Sequence, residues 1–178
     1  MKIIKEIIPY IVIVLVVVLI RTFIITPVRV DGDSMKNTLK NGDILLLYKL
    51  GSINRLDIIV LDEEKDNEKI IKRVIGLPGE TVAIKKGKIY INDKVIDDEN
   101  ATGLYFKVVD SDDWVNEYAY GETSDYDKVT LEDDEYFILG DNRLISKDSR
   151  YFGPIKENEI KGKIVFRLFP FIKIGMVQ

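Results

Sequence analysis

The sequence predicts a mostly β protein: a β-rich core with a smaller inserted lobe, preceded by one N-terminal membrane-spanning helix. Three observations carry that expectation. Residues Ile7 to Ile20 are almost purely apolar, interrupted only by Pro9 and Tyr10. After Pro27 the pattern breaks into short runs of Ile, Val, Leu and Tyr separated by turn-forming residues. Beyond the N-terminal stretch, no run of helical period exceeds about two turns.

The first element is the apolar helix. Thr22-Phe23-Ile24-Ile25 extends the run past Arg21 and brings it near the ~20 residues that a bilayer requires. Arg21 is placed to snorkel toward headgroups, and Pro9 falls near the helix start, where its missing N–H matters least. A cleaved leader needs small residues before the cut, and Ile24-Ile25-Thr26-Pro27 offers none, so the segment reads as an uncleaved anchor. Lys2 and Lys5 favour a cytoplasmic N-terminus with the C-terminal domain outside the cell membrane. The expected organisation is an anchor over 1–27 and a β-rich domain over 28–178.

Strands are expected at Val28–Val30, Ile44–Tyr48, Leu56–Leu61, Lys69–Ile75, Thr81–Ile84, Ile89–Ile91, Tyr136–Leu139 and Lys163–Leu168. Between them lie Asn41-Gly42-Asp43, Leu77-Pro78-Gly79 and Lys86-Gly87-Lys88, which favour turns. Residues 97–135 differ from the rest. They hold fourteen Asp or Glu against Lys107 and Lys128, a local charge of −12 in a chain of −4, which leaves the remainder at +8. Leu104, Tyr105, Phe106, Trp114, Tyr118, Tyr120 and Tyr126 give this stretch apolar material, so it reads as an inserted, ordered lobe at about 92–135, with Leu104–Val109 its best strand. Its acidity argues against nucleic acid as a partner, while the basic remainder suits anionic lipid headgroups.

Composition narrows the chemistry. The chain has no cysteine and no histidine, which removes disulfides, thiol nucleophiles, thiolate zinc sites and the imidazole that usually activates a serine. The carboxylate cluster Asp110-Ser111-Asp112-Asp113 lacks the glycine of a calcium loop. No metal and no cofactor is expected. A serine enzyme built from this chain must use a lysine or a carboxylate as its base.

Three segments supply such groups. In Ile70-Ile71-Lys72-Arg73-Val74, strand alternation puts Lys72 on one face with Ile70 and Val74. Apolar flanks strip water from an ammonium, and burial lowers a lysine pKa by up to ~3–5 units when complete. On spacing alone, a lysine on a solvated strand face is the commoner case. Gly32-Asp33-Ser34-Met35 places a serine just after a β run, where Gly32 permits close approach of the backbone; alone it reads as a turn serine. The segment Gly140–Gly153 reads as a polar loop in which Asp148 and Arg150 form a charge-assisted pair and Ser146 is placed to hold a lysine amine.

Together, in this order, the three segments resemble the boxes of the type I signal peptidases, the Ser/Lys-dyad enzymes that cut leader peptides from exported proteins. The resemblance runs from Ile20-Arg21-Thr22-Phe23 through Val28–Met35 and Lys72–Gly79 to Gly140–Gly153. It implies a β-rich catalytic core with a smaller inserted β lobe. It also implies Ser34 as nucleophile and Lys72 as general base, with Ser146 bonded to the lysine amine and Asp148 and Arg150 supporting that region. Val28, Val30, Met35, Leu39 and Ile71 would line shallow apolar pockets, the oxyanion would rest on backbone N–H groups including that of Ser34, and the partners would be preprotein signal peptides and the lipid bilayer. Two positions depart from the family pattern: Asn37 stands where proline is usual, and Gly32 where many members carry serine, as in single-anchor members of the Gram-positive type. The rival expectations are a membrane-anchored surface binding module, with the acidic lobe as its recognition face, and an inactive relative.

Overall fold

The structure, a computed structural model, describes residues 2–36, 38–62, 69–85, 88–96, 128–143 and 145–177. The N-terminal run forms helix α1 (Lys2–Phe23), whose Glu6–Phe23 stretch has a mean hydropathy of 2.3 and is long and apolar enough to cross a bilayer. The helix stops at Phe23 instead of continuing through Ile25. Pro27 disfavours helical dihedrals at Thr26, and the β-branched Ile24 and Ile25 lean toward extended chain. Carbonyls of the last turn are satisfied locally: Thr26 Oγ1 donates to Arg21 O and Lys49 Nζ to Thr22 O, both at 2.7 Å. Because the helix begins at Lys2, Pro9 lies inside it and not at its start.

Twelve strands follow among the described residues: β1 (Ile25–Arg29), β2 (Ile44–Tyr48), β3 (Ile58–Asp62), β4 (Lys69–Gly76), β5 (Thr81–Lys85), β6 (Lys88–Ile91), β7 (Lys94–Val95), β8 (Val129–Thr130), β9 (Glu135–Leu139), β10 (Ile155–Lys156), β11 (Ile160–Phe169) and β12 (Gly175–Met176). One short helix, α2 (Ser149–Phe152), stands between β9 and β10. Each of the eight strands expected outside the acidic stretch is present, with ends shifted by up to three residues. The main sheet runs β1-β2-β11-β3-β4-β9-β10, with β12 paired to β11; a smaller sheet runs β7-β6-β5-β8. The strands β7 and β8 that open and close the acidic excursion sit at the two edges of this small sheet. Residues 97–127, including the expected strand Leu104–Val109 and the Asp110–Asp113 cluster, lie outside the described residues.

Alternation of side chains sorts the core. Val28, Val30, Met35, Leu39, Leu45, Leu47, Ile58, Val60, Ile71 and Ile164 form one cluster, while Ile59, Leu61, Val74, Tyr136, Ile138 and Ile155 form another. Neighbouring residues of β3 and β4 fall in different clusters, so the sheet is apolar on both faces where these two central strands lie. A third cluster, from Ile75 and Phe137 to Val82 and Ile89, joins the small sheet to the large one.

Candidate active site

Ser34 lies on a tight turn beyond β1. Lys36 N donates to Asp33 O at 3.1 Å and Leu39 N to Met35 O at 2.7 Å, closing a single helical turn that is too short to stand alone. Its support comes from the chain that leaves β9. Asn142 N donates to Ser34 O at 2.9 Å and Asn142 Nδ2 to Asp33 O at 3.1 Å. Met35 is buried, and its sulfur accepts from Asp141 N at 3.3 Å. Thr38 Oγ1 donates to Asp141 Oδ2, and Arg73 Nε and Nη2 hold the same carboxylate at 2.9 and 2.8 Å. Arg73 and Asp141 are 3% and 1% exposed. A buried bidentate pair therefore ties the serine turn, the exit of β9 and strand β4 into one unit.

Lys72 precedes Arg73 and is 4% exposed. It is not the solvated strand lysine that spacing alone favoured. It pairs with Ile59 across β3, so it shares a face with Ile59, Ile70 and Val74. On the other side of β4, Arg73 pairs with Leu139, the last residue of β9. Carrying that register one residue further sets Lys72 across from Gly140, and residues directly opposite each other project from the same face. The atoms packed on that face of Gly140 are informative. A Cβ there would lie 2.7 Å from Ser34 O and 2.5 Å from Ser146 Cβ, and closer still to Ser146 Oγ. The missing side chain of Gly140 is thus the space in which Ser34 and Ser146 converge beside the lysine strand.

Ser146 is 2% exposed, and its Oγ is buried without a hydrogen-bond partner among the described residues. Asp148 is fully buried and takes both Arg150 Nε and Nη2, at 2.8 and 2.9 Å. Arg150 Nη2 also donates to Arg143 O at 3.0 Å and Ser146 O at 3.3 Å. Asp148 accepts from Gly140 N at 2.9 Å and Ser149 Oγ from Ile138 N at 2.9 Å, satisfying the edge of β9 where β10 no longer pairs with it. Asp148 also caps α2, whose Arg150 N reaches its carboxylate.

Val28, Val30, Met35, Leu39 and Ile71 come together, all five in one buried cluster. Beside them β9 ends opposite Arg73, so the Lys69–Lys72 half of β4 has β3 on one side and, among the described residues, no strand on the other. Gly32 has a φ of +84° and open space around its Cα. Asn37 lies outside the described residues. Sequence reasoning missed Thr38, Arg73, Gly140, Asp141 and Asn142 as parts of this site; Arg73, Gly140, Asp141 and Asn142 stood inside the segments singled out, but nothing in the spacing named their partners.

The turn leaving β4 is held by a second pair. Arg55 contacts Glu80 through both terminal nitrogens, and Glu80 also accepts from Leu77 N at 2.8 Å. Burial works against this carboxylate, but the Arg55 and Leu77 hydrogen bonds and the Arg55 charge together outweigh it and hold its pKa below the usual carboxylate range.

Comparison with known proteins gives a consistent result. The family described as signal peptidase, peptidase S26, matches residues 3–169. A signal peptidase I of Bacillus caldolyticus is 39% identical over 170 residues, covering 92% of this chain and 90% of that protein. A signal peptidase I of Streptococcus pneumoniae is 36% identical over 182 residues, covering 87% of each. The crystal structure of a signal peptidase I from Enterococcus faecalis aligns with a TM-score of 0.52 at 30% identity, covering 64% of this chain and 97% of that one.

Proposed function

This chain belongs to the signal peptidase family, peptidase S26, and from that premise we propose that Ser34 is its nucleophile and Lys72 its general base. The protein is a serine endopeptidase that removes signal peptides from preproteins. The observation that carries the assignment is the meeting at Gly140: a lysine only 4% exposed shares a sheet face with a glycine whose missing side chain makes room for Ser146 Oγ and the Ser34 backbone.

Burial at that depth disfavours the ammonium, because the charged form loses its water. The neutral amine takes the Ser34 Oγ proton as Oγ bonds to the carbonyl carbon at the end of the leader, and the carbonyl π pair moves onto oxygen. Backbone N–H groups, that of Ser34 among them, receive the oxyanion, each worth about 3–4 kcal/mol of transition-state stabilisation. Collapse breaks the C–N bond, and the Lys72 ammonium gives its proton to the departing amine. Lys72 then takes a proton from water as its oxygen attacks the acyl-enzyme, and that proton returns to Ser34 Oγ when the leader is released. Ser146 Oγ is the acceptor placed to orient the amine, and Asp148 with Arg150 holds Ser146 in position. The open edge of β4 at residues 69–72 suits an extended substrate, which would add main-chain hydrogen bonds; Val28, Val30, Met35, Leu39 and Ile71 form the apolar wall for its small side chains.

We assign residues 1–27 to a membrane anchor and 28–178 to the catalytic domain, with the acidic lobe inserted at about 92–135. The anchor holds the site at the bilayer surface, where the apolar segment of the substrate also resides, and that confinement raises effective concentration. Exposed Phe171, Ile172, Ile174 and Met176, on the segment paired to β11, extend an apolar surface suited to lipid. Lys2 and Lys5 set the N-terminus in the cytoplasm and the catalytic domain outside; a C-terminal domain protected from protease added to spheroplasts would reverse that topology. The dyad is tested with detergent-solubilised full-length protein and a preprotein. Ser34→Ala and Lys72→Ala should each abolish processing while retaining the wild-type melting curve. Sustained processing by Lys72→Ala would remove lysine as the base.

A further inference from the structure

The oxyanion leans heavily on one backbone group. Residue 32 is a glycine, with a φ of +84° and open space around its Cα, and supplies no hydroxyl two residues before the nucleophile. The Ser34 N–H carries correspondingly more of the developing charge, so its direction matters to the rate. Among the described residues, nothing accepts from that N–H.

Its direction is set by the peptide unit to which it belongs. The Asp33–Ser34 bond is trans, so Asp33 O and the Ser34 N–H project from opposite sides of one rigid plane. Whatever fixes the oxygen therefore aims the hydrogen. Asp33 O accepts twice, from Lys36 N at 3.1 Å and from Asn142 Nδ2 at 3.1 Å. A carbonyl oxygen only accepts, so the Asn142 amide must face it with its nitrogen. Lys36 belongs to the same turn and moves with it. Asn142 reaches across from the chain leaving β9, 109 residues away, and fixes the plane against the core. Its own backbone N also holds Ser34 O at 2.9 Å. One residue thus grips the peptide oxygens on both sides of the Ser34 Cα.

We propose that Asn142 is a positioning residue for the oxyanion: its side-chain amide holds the Asp33–Ser34 peptide plane so that the Ser34 N–H meets the oxygen as charge develops. With two donors on Asp33 O, the amide is also polarised toward a stronger N–H donor. The side chain touches no reacting atom in this role and acts through the backbone of the nucleophile. The proposal rests on the Ser34/Lys72 reading, and its test separates the two.

Full-length enzyme in detergent is compared with Asn142→Ala and with the nearly isosteric Asn142→Asp, which keeps the volume and loses the donor. The readouts are kcat and KM for a preprotein at neutral pH, and the inhibition constants of two leader-derived peptides, one ending in an aldehyde and the other in an amide. On the aldehyde, Ser34 Oγ bonds to the carbonyl carbon, its proton passes to Lys72, and the carbonyl π pair moves onto the oxygen at the oxyanion position. The amide peptide binds without an adduct. Removing a whole oxyanion donor costs about 10²–10³ in kcat, so loosening one should cost about tenfold. Each variant should lose about tenfold in kcat and about tenfold in aldehyde affinity, with KM and amide affinity within about twofold of wild type. The ratio of the two inhibition constants in one preparation is independent of the fraction folded. A variant that keeps the wild-type ratio overturns the role of Asn142, whether or not its kcat falls. A wild type that binds the aldehyde no tighter than the amide overturns the Ser34 reading itself, and the proposal with it.

Discussion

Gly140→Ala isolates the convergence of Ser34 and Ser146 from every charge in the site. The added methyl would sit 2.5 Å from Ser146 Cβ and 2.7 Å from Ser34 O, whereas ordinary contact begins near 3.4 Å. Ser34 O must therefore retreat by about 0.7 Å and Ser146 Cβ by about 0.9 Å, with Ser146 Oγ moving further still, and neither serine can do so freely. Ser34 O is bound to Asn142 N, and Ser146 O to Arg150, whose guanidinium is locked on the buried Asp148. Overpacking of this kind costs about 1–3 kcal/mol of stability, and a displacement near 1 Å at a reacting group costs about 10²-fold in rate. The assay is steady-state processing of a preprotein by the full-length enzyme, with a thermal melt alongside. The expected result is a kcat reduced about 10²-fold, a KM within about threefold of wild type, and a protein still folded at the assay temperature. A folded Gly140→Ala that keeps wild-type kcat would refute the claim that these two serines meet at Gly140.

Two further outcomes follow from the ion pairs. Asp141→Asn leaves the Arg73 guanidinium buried against a neutral partner and should cost about 3–5 kcal/mol in chemical denaturation; a loss under 1 kcal/mol would mean that the pair does not tie the serine turn to β4. Glu80→Gln should cost about 1–2 kcal/mol at neutral pH. Because the folded-state pKa of Glu80 is depressed, its contribution is complete above the unfolded carboxylate value of about 4.3 and is lost as pH falls through the folded value. Denaturation curves of the variant and wild type should therefore converge in acid, and a gap independent of pH would contradict the assignment.

How much of this was legible in the sequence varies by element. Ile44–Tyr48 is an uninterrupted apolar run between Gly42-Asp43 and Lys49, and its bounds were readable to the residue. The two-residue strands β7, β8, β10 and β12 were not, because pairing with a partner and not local propensity makes them extended. The end of α1 depended on Pro27, whose effect reaches back along the chain. At the site, the resemblance of three segments to the family's boxes indicated Ser34, Lys72, Ser146, Asp148 and Arg150, but the burial of Lys72 was beyond reach of spacing. It depends on β3 and on the chain leaving β9, the latter nearly seventy residues away. Arg73 and Asp141 were invisible as a pair for the same reason, 68 residues apart. Gly140 looked like a loop glycine until its neighbours showed what its missing side chain accommodates.

The absence of cysteine from the chain permits a direct test of the amine itself. In Lys72→Cys the thiol at residue 72 is unique and can be alkylated with bromoethylamine, which restores an amine of nearly lysine length whose basicity the sulfur lowers. The thiol form should be inactive. Alkylation should return processing, with the rise of activity against pH displaced to lower pH than in wild type, since an uncharged amine is the working form. Processing by the thiol form at the wild-type rate, or an alkylated enzyme that remains inactive though folded, would contradict a base at residue 72.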